Sequence, residues 1–151
     1  MWRLLLARTL YMWGSLHRNF GNKSNFSREH LQAVHRFTQA FNLDPTLRRA
    51  RLDRGIIYYR ELGMLDEAIS DFDALLEEDP EYGPALLNRA MIAQERGQYE
   101  LALADLDSYL LLPVTDEEYW RVANRTAALL RELISDMSSG QSISSTDTDP
   151  L

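Results

Sequence analysis

The sequence predicts an all-α protein, a right-handed α-solenoid of about three helix-turn-helix units closed by a C-terminal capping helix. Landmark residues recur at a fixed period: Pro45 and Pro80 are 35 apart, Ala33, Ala68 and Ala102 follow at 35 and 34, and Gly63 and Gly97 are 34 apart. Such periods belong to stacked repeats. Around each alanine the apolar residues keep the offsets 0, 1, 4, 7 and 8, from Ala33, Val34, Phe37, Ala40 and Phe41 to Ala68, Ile69, Phe72, Leu75 and Leu76 and on to Ala102, Leu103, Leu106, Tyr109 and Leu110. That is one buried helical stripe, written three times. Upstream of each stripe another helical segment carries a small residue at its middle, Gly14, Gly55 or Ala90, where two helices can approach closely.

The units run over about residues 7–46, 49–82 and 83–114, followed by a cap helix at 116–137, and together they make one domain of residues 1–137. Relative to the third unit, the first carries a seven-residue insertion and the second a one-residue insertion. The long one falls in the polar stretch Asn22 to Arg28, expected as a connection between helices. The short one lies between Gly55 and Gly63 and suggests a π-bulge. In the cap, Thr115 followed by Glu118 reads as a capping box. Its apolar face is Tyr119, Val122, Ala123, Ala127, Leu130 and Ile134. Residues 138–151, rich in Ser, Thr and Asp without apolar periodicity, read as a disordered tail.

A chain of 151 residues with 45% hydrophobic residues can bury a core without a disulfide or a structural metal. With no cysteine, thiol chemistry, zinc ribbons and disulfide frameworks are excluded. The net charge of −7 is unevenly distributed. Residues 1–60 hold 11 Lys and Arg against 3 Asp and Glu, a net of +8, which leaves −15 for residues 61–151. The basic part suits an acidic partner. At the N-terminus the run Leu4 to Ala7 is broken off by Arg3 and Arg8, too short for a secretory or spanning segment. It reads as an amphipathic helix that packs on its neighbour. A membrane surface is the alternative use of its Trp2, Leu5, Leu6 and Trp13 face with Arg3 and Arg8.

Chemistry-bearing constellations are scarce. Asp71 and Asp73, like Asp105 and Asp107, stand two apart on a helix and so diverge, which suits neither a metal cage nor acid–base work. His17, His30 and His35 have no histidine four residues away, and no phosphate-binding glycine loop or nucleophile turn is present. The expectation is no catalytic residue, no metal and no cofactor. Arg54, Arg89 and Arg125 recur at 35 and 36 in the first helices of the units, and the repeated acids predict Arg-to-Asp bridges rather than a ladder for an anionic ligand. Arg48, Arg49, Arg51 and Arg54 form the densest basic cluster, yet a sequence pI near 4.9 argues against a nucleic-acid binder.

The repeat resembles the tetratricopeptide repeat family. The stretch from Arg51 to Tyr82 supplies Gly55, Tyr59, Gly63, Ala68, Phe72 and Pro80, and the stretch from Ala85 to Pro113 supplies Ala90, Gly97, Tyr99, Ala102 and Pro113. The first unit matches through Gly14, Gly21, Ala33, Phe37, Ala40 and Pro45. Departures are the two insertions, Leu106 where an aromatic is usual, and Pro113 one residue early. The resemblance implies a concave groove lined by the first helices, in which a partner segment lies. Candidates are Tyr11, Ser15 and Arg18 from the first unit, Arg49, Leu52, Ile56 and Tyr59 from the second, and Leu87, Met91 and Gln94 from the third. Asp53 stands where a clamp for a C-terminal carboxylate would want a neutral or basic residue, so an amphipathic or acidic-apolar segment is the expected partner. The function implied is a non-enzymatic protein-binding scaffold or assembly adaptor in the cytoplasm. The alternatives are a peripheral membrane scaffold or accessory subunit and, less favoured, an RNA-binding repeat; a homo-oligomer is compatible with all of them.

Overall fold

A computed structural model describes residues 1–24 and 27–144, with side chains in 1–22 and 27–139. Seven α-helices and no strand occur among these residues: α1 (Trp2–Ser24), α2 (Ser27–Leu43), α3 (Arg48–Arg60), α4 (Leu65–Glu78), α5 (Gly83–Glu95), α6 (Tyr99–Leu110) and α7 (Glu117–Ser144). Where the repeat pattern predicts one body of residues 1–137, the chain gathers into two compact units, Met1–Asn88 and Arg89–Leu151, divided within α5. Repeats touch only their neighbours, so no shared core is required to span the array.

In the first unit α1 packs on α2, α2 on α3 and α3 on α4. The predicted stripe is the core: Ala33, Phe37 and Ala40 of α2 are fully buried with Ala50 and Ile57 of α3, and Leu10 and Tyr11 of α1 close over them. Gly14 and Gly55 make these contacts close. A Cβ on Gly14 would stand 2.6 Å from the Phe37 ring, and one on Gly55 2.7 Å from the Phe72 ring. The small residue at the middle of the helix is therefore a socket for the aromatic of the next one.

The turns repeat as faithfully as the helices. Pro45 and Pro80 prevent the residue before them from continuing a helix. That residue is aspartate both times, and it organises the turn. Asp44 Oδ1 accepts the Thr46 N–H at 3.1 Å, and Asp79 Oδ1 accepts the Glu81 N–H at 3.2 Å. Between α5 and α6, Gly97 takes a positive φ of 71° and Gln98 N donates to Ala93 O, five residues back. Between α3 and α4, Gly63 has φ 64° and Met64 N donates to Tyr58 O, six residues back. The one-residue insertion thus widens this turn instead of bulging α3. Its trace is Leu62 N donating to Ile57 O at 3.1 Å, a π-type bond at the end of the helix.

Further sequence expectations are corrected at the helix ends. The polar stretch from Asn22 to Arg28 does not form a loop as a whole: α1 runs on through Ser24 and α2 starts at Ser27, with residues 25–26 outside the described residues. No Gly or Pro in that stretch opposes a helix. His30 of α2 is buried beside Gly21, and its Nε2 lies 3.0 Å from Asn22 Oδ1, which ties the extension to α2.

In the second unit α6 packs on α7, and the cap helix starts after Asp116 rather than Thr115. Asp116 Oδ1 accepts the N–H groups of Glu118 at 2.9 Å and Tyr119 at 3.1 Å, and its charge suits the helix start. Ala123, Ala127 and Leu130 bury the expected face, whereas Tyr119 and Val122 stay exposed. Finally, α7 passes the boundary placed at 137 and reaches Ser144. The Ser138 and Ser139 hydroxyls bond carbonyls of their own helix three residues back, so these polar residues do not break it. Residues 145–151 of the expected tail lie outside the described residues.

Candidate partner-binding face

Asp53 organises the site in the first unit. It sits on α3 with 0% of its surface exposed. A buried carboxylate needs partners, and they come from α1 and from its own helix. Tyr11 donates its hydroxyl to Asp53 Oδ2 at 2.8 Å. Arg18 Nη1 approaches Oδ1 to 2.9 Å, and Arg49 Nε, one turn earlier on α3, to 3.3 Å. Both guanidinium contacts are ion pairs that miss hydrogen-bond alignment, so Oδ1 has charge compensation but no directed donor. Ser15, one turn on from Tyr11 in α1, is half-buried. Burial first, then the bond to Asp53, raises the Tyr11 pKa above its ordinary value, and Asp53 in turn raises that of Arg49.

Three of the ten sequence candidates, Tyr11, Arg18 and Arg49, therefore converge on one carboxylate that was read only as an obstacle to a clamp. Two cations face one anion. The surplus resides on Arg49, whose side chain is 59% exposed. Ile56 and Tyr59 of α3 and Leu87 of α5 are half-buried, partly accessible apolar surface in the same unit. Leu52 is a correction: at 1% exposure it belongs to the core and presents nothing to a partner. Met91, 44% exposed, and the exposed Gln94 lie in the second unit.

The remaining arginines of the basic cluster are committed to structure. Arg48 pairs with Asp79 at 2.6 Å and stacks on Tyr82. Arg51 pairs with Glu78 at 3.1 Å and lies 4.0 Å from the Phe41 ring centroid. Arg54 grips Asp71 through Nε at 2.8 Å and Nη2 at 2.5 Å while Nη1 donates to Thr38, so it ties α3 to both α4 and α2. In the second unit Arg89 grips Asp105 in the same bidentate way, at 2.8 and 2.6 Å. The predicted bridges exist for these two. Arg125 is exposed, and it is Arg131 that pairs with Asp107.

Sequence reasoning missed Asn88 as a site residue. It occupies in α5 the repeat position that Asp53 holds in α3, is buried, and donates Nδ2 to Pro84 O at 2.7 Å while its Oδ1 finds no partner. The available signal was the polar residue at the same repeat position, 35 apart, beside a small residue in an otherwise core-forming turn. Among the described residues no group of three or more His, Asp or Glu side chains is gathered as a metal site.

Paired helices, aromatic-into-glycine contacts and a 34- to 35-residue period define a helical repeat protein. Residues 59–126 match the family model described as tetratricopeptide repeat. Solved structures with the same fold include the Arabidopsis OM64 TPR domain, 20% identical, with a TM-score of 0.68 over 86% of this chain and 98% of that one. The first TPR of Spaghetti (RPAP3), bound to the HSP90 peptide SRMEEVD, is 19% identical, with a TM-score of 0.64 over 83% and 98%. The Sgt2 TPR domain from Aspergillus fumigatus is 16% identical, with a TM-score of 0.62 over 91% and 87%.

Proposed function

We propose that the chain is a non-enzymatic protein-interaction scaffold that holds an acidic-apolar segment of a partner against α1 and α3. The observation that carries this reading is the buried Asp53 with two arginines, one of them largely exposed. Asp53 fills from within the place that a ligand carboxylate would take between the guanidinium groups, and it fixes Arg49 as a pre-oriented donor at the rim. An acidic side chain of the partner meets Arg49, and its apolar neighbours cover Ile56, Tyr59 and Leu87. Because the internal carboxylate already occupies the inner donors, recognition does not depend on a free C-terminus. Commitment of Arg48, Arg51 and Arg54 to acids or rings favours a protein over a nucleic acid, which would need those charges for its phosphates.

Selection from a displayed peptide library tests this. Acidic-apolar sequences should emerge and bind equally with free and amidated C-termini. Arg49→Glu should weaken them and flatten their salt dependence, and Tyr59→Ala should weaken them at every salt concentration. Peptides that bind both variants like the parent would remove this face from consideration.

A further inference from the structure

We propose that the outward face of α1 lies on an anionic lipid surface. Placed at 100° per residue, Trp2, Leu5, Leu6, Met12, Trp13 and Leu16 fall within an arc of about 120°. All six are exposed, Trp2 at 70% and Trp13 at 53%. The opposite arc holds Ala7, Leu10, Tyr11 and Gly14, which pack on the rest of the first unit. So α1 has two apolar faces, and the fold touches the outer one only at its edge, where the Arg36 guanidinium lies 5.4 Å from the Trp13 ring centroid. An exposed apolar strip of this length marks an interaction surface.

Charge and directionality identify the occupant. From Trp2 to Ser24 the helix carries no acidic residue. At the same spacing Arg8 stands about 40° beyond one edge of the exposed arc, and Arg3, exposed in the first turn, about 60° beyond the other. Their stems can lie along the apolar strip while the guanidinium groups reach anionic headgroups. A second copy of this chain would set these cations against a helix equally without acids. A protein partner with a specific site would be read through directed polar groups, and the arc offers none in its middle: Thr9 donates its hydroxyl to Leu5 O at 2.9 Å. The two indoles suit the boundary between hydrocarbon and headgroups. No described helix is long and apolar enough to cross a membrane, so the contact is interfacial.

Sedimentation of the full chain with vesicles tests the proposal. Phosphatidylserine–phosphatidylcholine vesicles should carry the protein down, with a blue shift of tryptophan emission, and added salt should release it. Leu5→Glu/Leu16→Glu alters exposed positions only, so helicity should persist while binding is lost. Arg3→Glu/Arg8→Glu should weaken binding by about thirtyfold or more. The proposal is overturned if the parent ignores anionic vesicles, binds neutral ones equally, or binds as well after Leu5→Glu/Leu16→Glu. Concentration-dependent dimerisation abolished by that variant, without vesicle binding, would give the face to a second copy instead.

Discussion

At the scale of single residues, Asp53 bears the largest consequence. Replacing it with Asn keeps its volume but leaves two guanidinium groups facing one another without an anion. The expected destabilisation is about 2 to 4 kcal/mol, below the upper range for buried pairs because Arg49 can turn to solvent. Urea unfolding of Asp53→Asn measures it, and an unchanged midpoint would mean that Asp53 does not organise the site. Tyr11 adds a pH dependence. Its hydroxyl, like those of Tyr58, Tyr82 and Tyr109, is held above the ordinary value of 10.0, burial being the first cause each time. The folded chain then binds more protons than the unfolded chain above that pH. Stability that is complete below the unfolded value is lost as pH rises through the folded ones. Thermal melts should therefore hold steady from neutral pH to about pH 10 and fall beyond, with a shallower fall in Tyr11→Phe.

Between helices, contact rather than propensity decides. Gly55→Ala improves helix propensity by about 1 kcal/mol, yet its Cβ would press on Phe72 Cε1 and Asp71 Cβ. A net loss of about 1 to 3 kcal/mol is expected in a denaturant titration, and a net gain would show that α3 and α4 can separate freely. Phe72→Ala empties the same socket from the other side and should cost about 3 to 5 kcal/mol. The bidentate pair of Arg89 and Asp105 should appear in a double-mutant cycle as a coupling of about 0.5 to 3 kcal/mol. Zero coupling would return Arg89 to the pool of ligand-binding cations.

Over the whole molecule, the two sides of α1 divide two tasks. Tyr11 and Arg18 point toward Asp53, while the proposed lipid face lies on the other side, so groove peptides selected in solution should keep their affinity within about twofold when vesicles are added. Fluorescence anisotropy with and without vesicles decides this. The repeat period placed every helix pair because glycine sockets and aromatic stripes are local and periodic. Where each helix stopped was less legible. The reach of α1 to Ser24 and of α7 to Ser144 depends on residues with no strong signal for or against a helix. The site was read in halves: α1 and α3 candidates were named from the repeat, but that three of them meet at Asp53 depends on distances between helices. Leu52 was misassigned because periodicity alone cannot tell an inner apolar residue from a groove one. The cap was displaced by one residue because Thr115 and Asp116 both have the chemistry for it, and only backbone geometry chooses.

The same arginine–aspartate grip spans 17 residues from Arg54 to Asp71 and 16 from Arg89 to Asp105, the difference being absorbed in the α3–α4 turn. Chain length at this turn is thus uncoupled from the alignment of the helices it joins. A peptide tag grafted between Leu62 and Met64, or new termini opened there, should leave the Arg54 grip intact, which makes this turn the natural handle for labelling the protein without disturbing either face of α1.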